Sequence, residues 1–121
     1  MTKTVLTIDD SRTMRDMLLL ALEDAGFTVI QAVDGVEGLE TLAARGADVV
    51  ITDINMPRMD GFGVIEGVRA DPNHRATPVL VLTTEGDADK KARARAAGAT
   101  GWIVKPFDPA KLVDAVRRVA A

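Results

Sequence analysis

Two adjacent aspartates, Asp9-Asp10, follow the apolar run Thr4-Val5-Leu6-Thr7-Ile8, and a third, Asp53, follows Val49-Val50-Ile51-Thr52. A further run, Val79-Leu80-Val81-Leu82, closes on Thr83-Thr84, and Trp102-Ile103-Val104 stops just before Lys105-Pro106. If those run ends share one edge, three carboxylates, a hydroxyl and an ammonium converge. Three crowded carboxylates repel unless a cation sits among them. Mg²⁺ suits such an all-oxygen site, because it keeps some waters and completes its shell with a phosphate. The hydroxyl and the ammonium would complement phosphoryl oxygens. The set therefore describes phosphoryl transfer onto a carboxylate nucleophile. Singly, the residues say less. Asp9-Asp10 reads equally well as a solvated turn and helix cap. Asp53 alone could cap a loop, Thr83 be an ordinary strand residue and Lys105 a surface charge.

The elements that would bring them together are legible in the apolar pattern. The runs, with Thr28-Val29-Ile30 as the second, are short, β-branched and in several cases continuous, as expected of strands covered on both faces. Between them lie helical stripes. Met14, Met17, Leu18, Ala21, Leu22 and Ala25 recur at helical spacing, with Gly26 as the stop. Val36, Leu39, Leu42 and Ala43 form a second stripe. Asp60 can cap a third helix carrying Ile65 and Val68. A fourth, around Ala88 to Ala97, has only alanines for an inner face. Asp108-Pro109 is a start signal for the last, with Leu112, Val113, Val116 and Val119 inside. The pattern is (βα) repeated five times, an α/β doubly wound parallel sheet. Right-handed crossovers put helices on both faces, and ligands bind along the edge where the strand C-termini lie.

Composition narrows the classes. At 121 residues, 47% hydrophobic and 27% charged, one domain spanning 1–121 with an ordinary core is expected. The absence of cysteine removes disulfides, thiolate metal sites and cysteine nucleophiles. A net charge of −3 argues against broad nucleic-acid binding, which needs a basic field. The first residues carry no signal-peptide pattern, and no segment reaches the roughly 18 apolar residues of a membrane span. The expectation is a cytoplasmic monomer whose partners are neither nucleic acid nor membrane.

With these residues in place, the sequence resembles the receiver domains of two-component response regulators, closest to the CheY-like, single-domain chemotaxis members. The likeness runs over essentially the whole chain. It is carried by Asp9-Asp10-Ser11, Asp53-Ile54-Asn55-Met56-Pro57, Met59-Asp60-Gly61, Thr83-Thr84-Glu85, Ala97-Gly98-Ala99 and Lys105-Pro106-Phe107. The resemblance implies a flavodoxin-like sheet of order 2-1-3-4-5, the order that CheY itself exemplifies. It implies that Asp53 is the phospho-acceptor. Asp10 would be a direct Mg²⁺ ligand, Asp9 would act through water or place the metal, and the Asn55 backbone carbonyl would complete the shell. Thr83 would be the switch hydroxyl, Lys105 the partner of the acceptor and then of the phosphoryl group, and Lys105-Pro106 a cis peptide. Asn55 and Glu85, each two residues past a site residue, would tune dephosphorylation by admitting or orienting water, or else are solvated loop groups. Family members usually carry an aromatic residue, often Tyr, three positions before the lysine. Here it is Trp102, bulkier and with one N–H donor, so either a hindered switch or plain packing at the sheet edge is expected.

The resemblance further implies a signalling protein rather than an enzyme, catalysing only its own phosphotransfer from a CheA-type histidine kinase and its own dephosphorylation. Its readout would be the flagellar motor switch protein. The alternative is a phosphate sink that drains the kinase. Without an output domain or a following helix-turn-helix, surface contacts would carry the message. A Mg²⁺ phosphatase of the haloacid dehalogenase kind wants Asp-x-Asp after the first strand, and here the acids are adjacent. A flavin carrier would find its phosphate repelled by Asp9-Asp10. The run Lys90-Lys91-Ala92-Arg93-Ala94-Arg95 reads as a solvated helix face, or else as a docking patch for an acidic partner. His74, in a polar loop, reads as a surface residue.

Overall fold

The computed structural model describes residues 2–84 and 88–120. The apolar runs are strands β1 (Thr4–Ile8), β2 (Thr28–Ala32), β3 (Val49–Asp53), β4 (Val79–Thr84) and β5 (Gly101–Lys105). They alternate with helices α1 (Arg12–Asp24), α2 (Gly35–Arg45), α3 (Gly61–Ala70), α4 (Ala88–Ala97) and α5 (Pro109–Ala120). All strand pairings are parallel, in the order β2-β1-β3-β4-β5. The chain thus has the expected flavodoxin-like, doubly wound (βα)5 fold. β5 runs one residue further than its apolar run indicates and includes Lys105.

Local chemistry sets the helix ends. Ser11, not Asp9 or Asp10, caps α1, its hydroxyl accepting the Met14 N–H. Asp34 caps α2 by accepting the Glu37 N–H, and the Glu37 carboxylate reaches back past the cap to accept the Val33 N–H. Asp60 caps α3 through the Gly63 N–H, and Asp108 accepts from Ala110 at the start of α5. Gly26, at φ 93°, ends α1 in the left-handed region that glycine enters without a Cβ penalty.

Strand residues alternate between two buried layers. Leu6, Ile8, Val50, Val79 and Val81 pack with Leu42, Ile65, Val68 and Ala94 under α2, α3 and α4. Val5, Val49, Ile51, Leu80 and Leu82 pack with Leu18, Leu22, Leu112 and Val116 under α1 and α5. Two expected core positions lie outside. Met17 is 45% exposed and Ala43 is exposed, each on the flank of its stripe rather than at its centre. Val113 and Val119 are half-buried.

α4 is held differently from the other helices. Its single buried residue is Ala94, so apolar burial contributes far less than the roughly 1.5–3 kcal/mol of each buried leucine in α1 or α5. Its cations are not simply solvated. Arg93 stacks 3.9 Å from the Phe62 ring centroid, and Arg95 and Lys91 lie 4.7 and 5.5 Å from that of Trp102. These cation–π contacts, about 0.5–1 kcal/mol each at exposed sites, fasten α4 to α3 and β5. At its far end, Arg69 of α3 donates to the carbonyls of Gly98, Arg75 and Thr77.

Candidate metal centre

Parallel strands deliver their C-terminal residues to one rim, and the register fixes which ones meet. Ile8 pairs with Thr52, so the residues that follow, Asp9 and Asp53, leave the sheet side by side. Asp53 pairs with Leu82, one residue before Thr83, and Thr84 pairs with Lys105. Carboxylate oxygens of Asp9, Asp10 and Asp53 all lie within 4.8 Å of one another. Asp9 is 1% exposed and Asp53 9%, whereas Asp10 faces solvent.

The charges are partly balanced. Lys105 Nζ stands 2.9 Å from Asp53 Oδ1, and the Ile54 N–H donates to the same oxygen at 2.8 Å. Neither contact uses Oδ2. Asp9 Oδ1 accepts the Ser11 N–H at 2.9 Å, but Asp9 Oδ2 is buried with no hydrogen-bond partner. Burial is the main cause that raises the Asp9 pKa above its ordinary value. The Ser11 N–H opposes that shift and the Asp53 charge adds to it. An orphaned, buried carboxylate oxygen in a cluster of three carboxylates is what a hard dication would satisfy, so the residues present fit Mg²⁺. Ser11 as the α1 cap removes the plain capping role for Asp9-Asp10.

The remaining expected residues fall around this cluster. Thr83 is 4% exposed, its hydroxyl only weakly engaged with the Thr84 carbonyl at 3.4 Å. Asn55 is exposed in the loop that follows Asp53. The Lys105-Pro106 peptide is cis. Trp102 lies three residues before Lys105, half-buried on the α4 face beneath Arg95 and Lys91. It is not part of the acid cluster. Glu85 lies outside the described residues. His74 is half-buried, with Nδ1 3.2 Å from Thr77 Oγ1, away from the rim.

Sequence reasoning missed a bidentate pair beside the site. Arg58 Nε and Nη2 donate to Asp34 at 2.7 and 3.0 Å. Asp34-x-x-Glu37 carries a capping signal, but no local pattern joins it to an arginine 24 positions on.

Similarity to known proteins agrees with this geometry. The sequence pattern of the response regulator receiver domain family matches residues 5–117. The chain is 37% identical over 116 residues to the chemotaxis protein CheY of Pseudomonas aeruginosa, covering 95% of this chain and 94% of that protein. It is 38% identical to a probable chemotaxis protein CheY of Rhizobium etli, covering 95% of this chain and 90% of the other. The high-resolution structure of chemotaxis response regulator CheY4 of Vibrio cholerae superposes with a TM-score of 0.93 at 44% identity, over 98% of this chain and 99% of that one.

Proposed function

Because this chain belongs to the response regulator receiver domains of two-component systems, we propose that it is a chemotaxis switch phosphorylated on Asp53 by a histidine kinase. The observation that carries the reading is the Asp53–Lys105 pair seated against Asp9 and Asp10. Asp9, Asp10, Asp53 and the Asn55 carbonyl would hold Mg²⁺, which when bound offsets the charge of an incoming phosphoryl group. A carboxylate oxygen of Asp53 attacks phosphorus in line. The phosphorus–nitrogen bond to the donor histidine breaks, and the ring nitrogen keeps the electron pair. Lys105 transfers its ammonium contact from the carboxylate to a phosphoryl oxygen. The Thr83 hydroxyl turns from its weak contact with Thr84 and donates to another.

That inward pull on β4 reaches β5, where Trp102 and α4 form the surface a partner reads. The phosphoryl group must bind the shifted arrangement better than the resting one for any population to move. Water attacking the acyl phosphate resets the switch, and Asn55 and Glu85 would tune its access. We place the protein in the cytoplasm with a CheA-type kinase as donor and the flagellar motor switch protein as readout. This follows the likeness to chemotaxis proteins along nearly their whole length. Among the described residues, no helix is long and apolar enough to cross a membrane.

Phosphorylated kinase, Mg²⁺ and purified protein should give stoichiometric labelling that Asp53→Ala abolishes. Persistent Mg²⁺-dependent labelling of that variant would refute the assignment. Pull-downs of the phosphorylated form decide the readout: retention by motor switch protein supports a motor signal, and retention by kinase alone makes the protein a phosphate sink.

A further inference from the structure

We propose that Arg58 is a positioning residue for the metal centre, its guanidinium clamping onto Asp34 the loop that presents the Asn55 carbonyl. The proposal rests on the reading of that centre given above. Residues 54–60 join β3 to α3 and begin immediately after Asp53. The loop is closed at its base, where the Gly61 N–H donates to the Ile54 carbonyl at 2.8 Å. Farther out, Met56 and Met59 pack on the core, and Asn55, Pro57 and Arg58 are exposed. The Arg58–Asp34 pair ties this outer part to α2 by two parallel hydrogen bonds, the planar geometry that arginine offers a carboxylate and lysine does not.

The anchor is itself fixed. The Asp34 side chain is 7% exposed, and the same Oδ1 that accepts from Arg58 accepts the Glu37 N–H of the α2 cap. The loop also lies directly against α2, since a Cβ on Gly35 would stand 2.7 Å from the Met59 carbonyl oxygen. Arg58 has φ 67°, a region where turns ordinarily use glycine or asparagine. An arginine there is explained by what its far end holds. Mg²⁺ tolerates little departure from octahedral geometry, so freedom in the loop that offers Asn55 should be read as lost affinity.

The test is calorimetric titration of Mg²⁺ into the wild type, Asp10→Asn, Arg58→Gly, Arg58→Lys, Asp34→Asn and the Arg58→Gly/Asp34→Asn double variant. Thermal unfolding of each without metal runs alongside. Glycine suits the observed φ, so Arg58→Gly removes the clamp without straining the backbone. We expect it to weaken Mg²⁺ binding about tenfold, at the lower end for partners of metal ligands. Asp34→Asn should weaken it similarly, the double variant no further than either single change, and Arg58→Lys should restore part of the loss. A wild type without Mg²⁺ binding, or Asp10→Asn binding as well as wild type, sinks the metal-centre reading and the proposal together. A normal wild type and a dead Asp10→Asn, with Arg58→Gly binding as tightly as wild type, overturns the proposal alone, even if that variant melts earlier.

Discussion

At the residue scale, the site combines one committed cation with three acids. Lys105 is 23% and Asp53 12% exposed in their side chains, and their contact falls on a single carboxylate oxygen. Removing the ammonium leaves Asp53 among like charges, a situation Mg²⁺ relieves, so Lys105→Ala should keep metal binding. It should slow phosphorylation about 10²-fold, as for the loss of one charge-stabilising donor, a split read by calorimetry and by the labelling rate. Asp9, Asp10, Asp53, Thr83 and Lys105 were visible in the sequence because each terminates an apolar run, and parallel strands bring such ends to one rim. Arg58, Arg69 and the ring contacts of Arg93 and Arg95 were not. An arginine on a helix or in a turn looks the same in sequence whether it reaches water, a carbonyl or an aromatic face. Only the fold decides which partner lies within its length.

Among the elements, α2 shows a tertiary charge acting on a local cap. The Arg58 hydrogen bond is the main cause that holds the Asp34 carboxyl below its ordinary pKa of 3.8. A carboxylate so depressed adds stability above that pH and loses it as pH falls through the folded-state value. Asp34→Asn can still cap α2 but pairs poorly with a guanidinium. Its melting temperature should therefore sit below wild type at pH 7, and the gap should close as pH drops below 3.8. A constant gap in scanning calorimetry across that range would contradict the ionic origin. The helices and strands themselves were readable from periodicity, and so were the α3 and α5 caps. The stripe edges at Met17 and Ala43 were misjudged because a hydrophobic residue on the flank of a helix face costs little when left exposed.

Across the whole molecule, stability is distributed unevenly. β1, β3 and β4 carry residues of near-zero exposure on both faces, whereas the described residues of α4 bury only Ala94 fully and add cation–ring contacts from Lys91, Arg93 and Arg95. Native-state hydrogen exchange should therefore find α4 opening first among the helices and the central strands last. Slow exchange in α4 would contradict that order. Close approach of backbone is equally uneven. A methyl group on Gly61 would collide with the Asp53 carbonyl oxygen and one on Gly35 with that of Met59, while one on Gly38 would press on the Ile8 side chain rather than on backbone. No glycine occurs in α1 or α5. The two sides of the sheet should consequently drift at different speeds under selection. In a library of single alanine exchanges scored for folded protein, Gly35 and Gly61 should stand out as intolerant, while the outer turns of α1 and α5 accept most replacements. The half of the molecule that packs around the loop after Asp53 would then change slowly, leaving the opposite half free to diversify.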